Sequence, residues 1–101
     1  MDKYRSESQQ RVLRILTVLA GHEVSGLAPG EIAKGTGYSA SNVTRALANL
    51  RIAGLAEQLP DSERWRLSPK VVQIAIAHMS GLDKAQGKLD EVRNRFSRNP
   101  H

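Results

Sequence analysis

Apolar positions along the chain fall into short periodic runs separated by glycine, proline and serine. Val12, Leu13, Leu16, Leu19 and Ala20 recur at helical spacing, with Ile15 widening the stripe and Arg11 and Arg14 on the other side. This predicts a first helix from Ser6 or Glu7 to Ala20, stopped by Gly21. Residues 21–26 read as a loop. Pro29 suits the first position of a second helix, where its missing N–H is no loss, and Glu31 complements the positive end of that helix's dipole. Ile32 and Ala33 face inward, and Gly35-Thr36-Gly37 interrupts the helix. Ser39 is a good N-cap, since its short side chain can accept from a backbone N–H of the first turn. The third helix that it opens buries Val43, Ala46, Leu47 and Leu50, at i, i+3, i+4 and i+7, and closes at Gly54.

After Gly54 the period shortens. Residues 55–59 and 64–67 alternate in part, and Pro60-Asp61-Ser62-Glu63 between them is turn chemistry, so a β-hairpin with a four-residue tip is expected. Trp65 alternates with Arg64 and Arg66, which puts its ring on the core side of the strand. Ser68-Pro69 repeats the helix-start signal, and a fourth helix runs from Pro69 through at least Met79. Beyond Met79 an apolar stripe continues through Val71, Ala75, His78, Leu82, Ala85, Leu89, Val92 and Phe96. Its spacing alternates between four and three, a heptad seam with one polar position. Gly81 and Gly87 weaken this helix but lie off the seam. Val72, Ile76 and Met79 form a second apolar face, and two faces imply two partners, the domain's own core and a second chain.

Helix, short helix, turn, helix, hairpin, helix is the order of a winged helix-turn-helix domain, mostly α with a small β-hairpin, followed by a C-terminal helix. Residues 1–67 form the winged core. Residues 68–97 form a helical segment packing on that core and either dimerising or folding back over it. Residues 98–101 are a flexible tail.

Composition narrows the chemistry. A chain of 101 residues can bury one core but has little room for a deep enzyme cleft. The absence of cysteine excludes disulfides, thiolate catalysis, zinc fingers and iron–sulfur sites. His22, His78 and His101 are too scattered for a metal triad, so no catalytic residue, metal or cofactor is expected. There is no apolar run of about 18 residues, and the N-terminus is charged, so neither a membrane span nor a secretion signal is expected and the location reads as cytoplasmic. Fifteen Lys and Arg against ten Asp and Glu give +5, which points to an anionic partner, nucleic acid first.

The third helix carries that reading. At about 100° per residue, Ser41, Arg45, Ala48, Asn49 and Ile52 point away from the buried stripe, flanked by Asn42 and Thr44. No carboxylate occurs from Ser39 to Ile52. Such a surface can approach the major groove closely, where Asn and Arg form bidentate bonds to adenine and guanine. The candidate DNA-binding set is Ser39, Ser41, Asn42, Thr44, Arg45, Asn49 and Arg51, with Arg64 and Arg66 from the wing. Arg11 and Arg14 are further phosphate candidates. Tyr38 either packs over the turn or offers its hydroxyl to a phosphate.

Several stretches match a known pattern. They are Val12-Leu13-Arg14-Ile15-Leu16, Gly30-Glu31-Ile32-Ala33 and Thr36-Gly37-Tyr38-Ser39. They continue with Ser41-Asn42-Val43-Thr44-Arg45-Ala46-Leu47, Leu50, Gly54-Leu55 and Trp65-Arg66-Leu67-Ser68-Pro69. In these the segment from about Arg11 to Ala75 resembles the DNA-binding domain of the IclR family of bacterial transcription regulators; the MarR family shares the architecture. The resemblance implies that Ser41, Asn42, Thr44 and Arg45 occupy recognition positions. Two departures stand out. The family normally carries a large effector-binding domain after the wing, whereas some thirty residues follow here, so no small-molecule effector is expected. The wing tip carries Asp61 and Glu63, which repel phosphate and oppose deep wing insertion.

The expected function is sequence-specific binding of double-stranded DNA by a transcription regulator, of a kind that suits a bacterium or a phage. A homodimer is expected through Leu82, Ala85, Leu89, Val92 and Phe96. The alternative is a winged-helix module that docks a partner protein; the acidic wing favours it and the acid-free third helix opposes it.

Overall fold

Ser6 opens the first helix, α1 (Glu7–Leu19), by accepting a hydrogen bond from the Gln9 N–H at 3.4 Å. The second helix, α2 (Pro29–Thr36), starts with proline at its first position, and the Glu31 carboxylate accepts from the Ala28 N–H at 2.9 Å. The third, α3 (Ala40–Ile52), is capped by the Ser39 hydroxyl, which accepts from Asn42 N–H at 3.2 Å. Strands β1 (Ala56–Gln58) and β2 (Trp65–Leu67) pair antiparallel, with Glu57 opposite Arg66, and α4 (Pro69–Ser97) follows. A short 3-10 turn over Asp2–Tyr4 precedes α1. These elements are those of a computed structural model, which describes residues 2–97. The expected tail at 98–101 lies outside the described residues.

The chain divides into two units, Met1–Val71 and Val72–His101. In the first, Ile15 and Leu19 of α1, Ile32 of α2 and Val43, Ala46, Leu47 and Leu50 of α3 close on Ala56 and Trp65 of the hairpin. The spacing in α3 and the alternation at Trp65 come out as the sequence pattern requires, but in α1 the buried centre is Ile15 and Leu19, with Val12 and Leu16 half-buried and the expected stripe members Leu13 and Ala20 exposed. Tyr38 lies partly buried against this core, with the Arg14 guanidinium 5.5 Å from its ring centre. Burying about nine apolar side chains, at roughly 1.5–3 kcal/mol each before entropy is counted, fixes how α3 sits on its neighbours.

Two local features differ from the sequence reading, in the second helix and in the wing. The second helix runs through Gly35 and Thr36 and stops one residue later, where Gly37 takes φ 80° and donates its N–H to Ala33 O. The wing is broader than a two-stranded hairpin, because Leu27 exchanges both backbone hydrogen bonds with Trp65, each at 2.8 Å. The fourth helix continues unbroken across Gly81 and Gly87 to Ser97, since the good helix formers around them (Leu82, Lys84, Ala85, Gln86, Lys88 and Leu89) offset about 1 kcal/mol per glycine.

The junction of α3, wing and α4 within the first unit is tied by side chains. The Ser68 hydroxyl donates to Gly54 O, and the Lys70 ammonium donates to Ala53 O at 3.0 Å, meeting the negative end of α3. Among the described residues no helix is long and apolar enough to cross a membrane.

Candidate nucleic-acid interface

Two consequences of the sequence build the outer face of α3. Its inward stripe anchors one side, so Ser41, Thr44, Arg45, Ala48, Asn49 and Ile52 are all exposed, with Asn42 half-buried at the edge. Its first turn carries no acid, so the positive end of the helix dipole is left uncompensated at the surface.

Local hydrogen bonds hold these side chains in place. The Arg45 guanidinium donates to Asn42 Oδ1 at 3.2 Å. Asn49 Nδ2 donates to Arg45 O at 2.8 Å, and the Thr44 hydroxyl donates to Ala40 O at 3.0 Å. Ser39 and Ser41 share a hydroxyl–hydroxyl bond of 3.3 Å. Ser39 is thus first a cap; the Arg45 guanidinium rests on the Asn42 amide, while the Asn49 amide is tied to the Arg45 backbone carbonyl. Such bonds lower the side-chain entropy lost when the groups are ordered on a ligand.

The first helix extends this surface. Ser8, Arg11 and Val12 of α1 and Asn42, Arg45, Ala46 and Asn49 of α3 line a cleft of about 290 Å³. Two guanidinium groups, two amides and a hydroxyl converge there. A phosphate oxygen accepts from all of these groups, and Arg offers a fork that matches it. Arg11 was legible from sequence as a basic residue on the polar side of helix one. Ser8 was missed: it lies one position before Gln9 at an unremarkable spacing, and only the packing of α1 across α3 brings it to Asn42.

The remaining candidate arginines have partners within the fold. Arg51 bonds Gln58 Oε1 and stacks its guanidinium 4.4 Å from the Trp65 ring centre, bracing the end of α3 on the hairpin. Arg66 pairs with Glu57 across the ladder at 3.2 Å. Arg64 donates to Ser25 O at 2.8 Å and Gly26 O at 3.0 Å, and lies 2.9 Å from Glu31. Asp61 and Glu63 take part in no ion pair among the described residues, so the wing tip is left negative. The structure therefore gathers Ser39, Ser41, Asn42, Thr44, Arg45 and Asn49 on one face and sets Arg51, Arg64 and Arg66 apart as braced charges. No group of three His, Asp or Glu among the described residues could hold a metal ion.

Comparison with solved structures places this geometry. An IclR family transcriptional regulator from Brucella abortus superposes with a TM-score of 0.69 at 26% identity, over 81% of this chain and 31% of the regulator. An IclR transcriptional regulator from Alicyclobacillus acidocaldarius gives 0.63 at 25% identity, over 70% of this chain and 28% of that one. The chain thus spans about a third of the length of the regulators it matches. The Zalpha domain of Cyprinid Herpesvirus3 ORF112, solved in its binding mode to Z-DNA, gives 0.54 at 27% identity, over 61% of this chain and 98% of the domain. Among curated protein sequences none matches at a comparable level. Residues 8–60, more than half of the chain and the whole of α1 to β1 apart from its first residue, match the model of the IclR helix-turn-helix domain, and the chain belongs to that family.

Proposed function

We propose that the chain binds double-stranded DNA sequence-specifically and regulates transcription, with α3 in the major groove. The observation that carries this reading is the acid-free outer face of α3, continuous with Arg11 and Ser8 of α1. A B-DNA major groove about 12 Å wide admits one helix, and short residues such as Ser41 and Thr44 let the backbone come close to the base edges. Asn42, Arg45 and Asn49 are the base-reading groups, and Arg11 clamps a phosphate beside them. Arg51, bonded to the neutral Gln58, adds positive field at the periphery, whereas Glu31 and Glu57 offset the charges of Arg64 and Arg66. The IclR relatives are transcription regulators and the Zalpha domain is seen with Z-DNA, which supports a DNA partner. The reading includes a homodimer formed through Leu82, Ala85, Leu89, Val92 and Phe96, acting in the cytoplasm.

A second reading has one observation in its favour. The acidic wing tip and the internal pairing of Arg64 and Arg66 suit a module that docks a protein rather than DNA. Selection of bound duplexes from a random library separates the two. The DNA reading predicts enrichment of one sequence family with two-fold symmetry. A library that emerges without enrichment, from protein shown to be folded, contradicts it.

A further inference from the structure

We infer that two copies of α4 pair antiparallel, with the point midway between Asp83 and Lys84 on the two-fold axis. This rests on the dimer reading above and specifies its orientation. Taken by itself, the helix presents its seam to solvent: Leu82 is 52% exposed, Leu89 59% and Phe96 75%. Soluble proteins rarely leave such a strip uncovered. Its order of large and small residues then identifies the occupant.

In heptad terms Ala75, Leu82, Leu89 and Phe96 occupy a, while Val71, His78, Ala85 and Val92 occupy d. A parallel in-register pair stacks like on like. That sets His78 against His78, Ala85 against Ala85 and Phe96 against Phe96, giving a polar layer, a hollow layer and an overfull one. An antiparallel pair joins a to d. Leu82 then meets Ala85 of the second copy, Leu89 meets His78, Phe96 meets Val71 and Val92 meets Ala75. Three of these four layers join a larger apolar residue to a smaller one, which fills space evenly.

The flanking positions agree. Positions e are Val72, Met79, Gln86 and Arg93, and positions g are Ile74, Gly81, Lys88 and Arg95. The first half of the helix is thus apolar or small at its flanks and the second half largely basic. A parallel pair sets g against the following e, so Lys88 faces Arg93 of the second copy, twice by symmetry. An antiparallel pair sets g against g and e against e. Arg95 then lies along Ile74, Lys88 along Gly81 and Arg93 along Val72. Basic stems cover apolar side chains while their charges stay in water. Flanking charges of this kind set helix orientation in coiled coils. The winged unit precedes Pro69 in each copy, so the two attachment points lie at opposite ends of the pair, about 43 Å apart along the helix axis.

The chain has no cysteine, so a single introduced one carries a spin label at a known place. Ser80 and Asn94 both fall on the outward f position. In an antiparallel pair the two labels of Ser80→Cys lie about 10 Å apart along the axis and those of Asn94→Cys about 30 Å apart. Full-length variants are measured by pulsed dipolar spectroscopy beside their solution mass and circular dichroism, with binding to random duplex DNA followed on the same samples. A dimer whose Asn94 distance exceeds the Ser80 distance by more than about 10 Å is the expected result. A dimer with equal distances is parallel and overturns the inference, and so does a folded monomer, the outcome if the helix packs on its own chain. Retained DNA binding in either of those cases leaves the DNA reading standing. Lost DNA binding with the distance pattern intact counts against that reading alone.

Discussion

Arg64 fastens the wing to the start of α2, its Nη1 lying 2.9 Å from Oε1 of Glu31. The same guanidinium donates to the carbonyls of Ser25 and Gly26, so one side chain joins the strand, the loop before α2 and α2 itself. Arg64→Ala is expected to lower stability by about 1 kcal/mol, after discounting for the solvent exposure of the pair. The melting temperature then falls by roughly 4–8 °C. DNA affinity measured well below the melt changes little, because this charge is already engaged. An unchanged melt with weakened DNA binding contradicts the bracing role.

Glu31 has a pH signature. Its carboxyl is held below the ordinary glutamate range, first by the Ala28 N–H it accepts and then by the charge and hydrogen bond of Arg64. A depressed folded value means that the stabilisation is fully present above about pH 4.3, the unfolded value, and is lost as pH falls through the folded one. Glu31→Gln should therefore melt with a shallower acid limb than the wild type. Thermal melts between pH 3 and 7 (about that range suffices) check this, and coincident acid limbs contradict it.

Gly26 is required by its surroundings. It takes φ 66°, and an added Cβ meets Leu59 Cδ1 at 2.6 Å and Trp65 O at 2.7 Å. The carbonyl belongs to the Leu27–Trp65 bridge and cannot retreat without breaking it. Gly26→Ala is expected to destabilise by about 2–4 kcal/mol, from backbone strain and overpacking together. Gly21→Ala is the control, with φ 90° but nothing within 4 Å of the added atom, and should lose only about 1 kcal/mol. Equal losses in a denaturant titration contradict the steric argument.

Much of this molecule was legible from sequence because its elements are short and punctuated. Ser6, Pro29 and Ser39 each mark a helix start, and the period-3.6 stripe of Val43 to Leu50 fixed which side of α3 stays outside. Two things were not legible. The Leu27–Trp65 bridge pairs residues far apart in sequence at a single point, which leaves no periodicity to detect. The internal partners of Arg51, Arg64 and Arg66 depend on where Trp65, Glu57 and Glu31 stand in space, so a count of basic residues overstates the wing's charge available to DNA.

The wing tip offers a test of how closely it approaches a duplex. Asp61→Asn with Glu63→Gln removes two negative charges, and asparagine tolerates the φ of 55° at position 61. Binding to random duplex should strengthen and its salt dependence steepen. Weakened binding instead indicates that the acidic tip makes a favourable contact of its own.

Arg45 stands at the middle of the α3 face proposed to read DNA. The most direct measurement is a salt titration of binding to a selected duplex and to random DNA, for the wild type and Arg45→Ala. A loss of about 1–3 kcal/mol is expected on the selected duplex if this face reads bases. The loss on random DNA should be smaller, and the thermal melt unchanged because the side chain is exposed. Equal affinities of the two proteins for the selected duplex at every salt concentration, with both folded, contradict that reading.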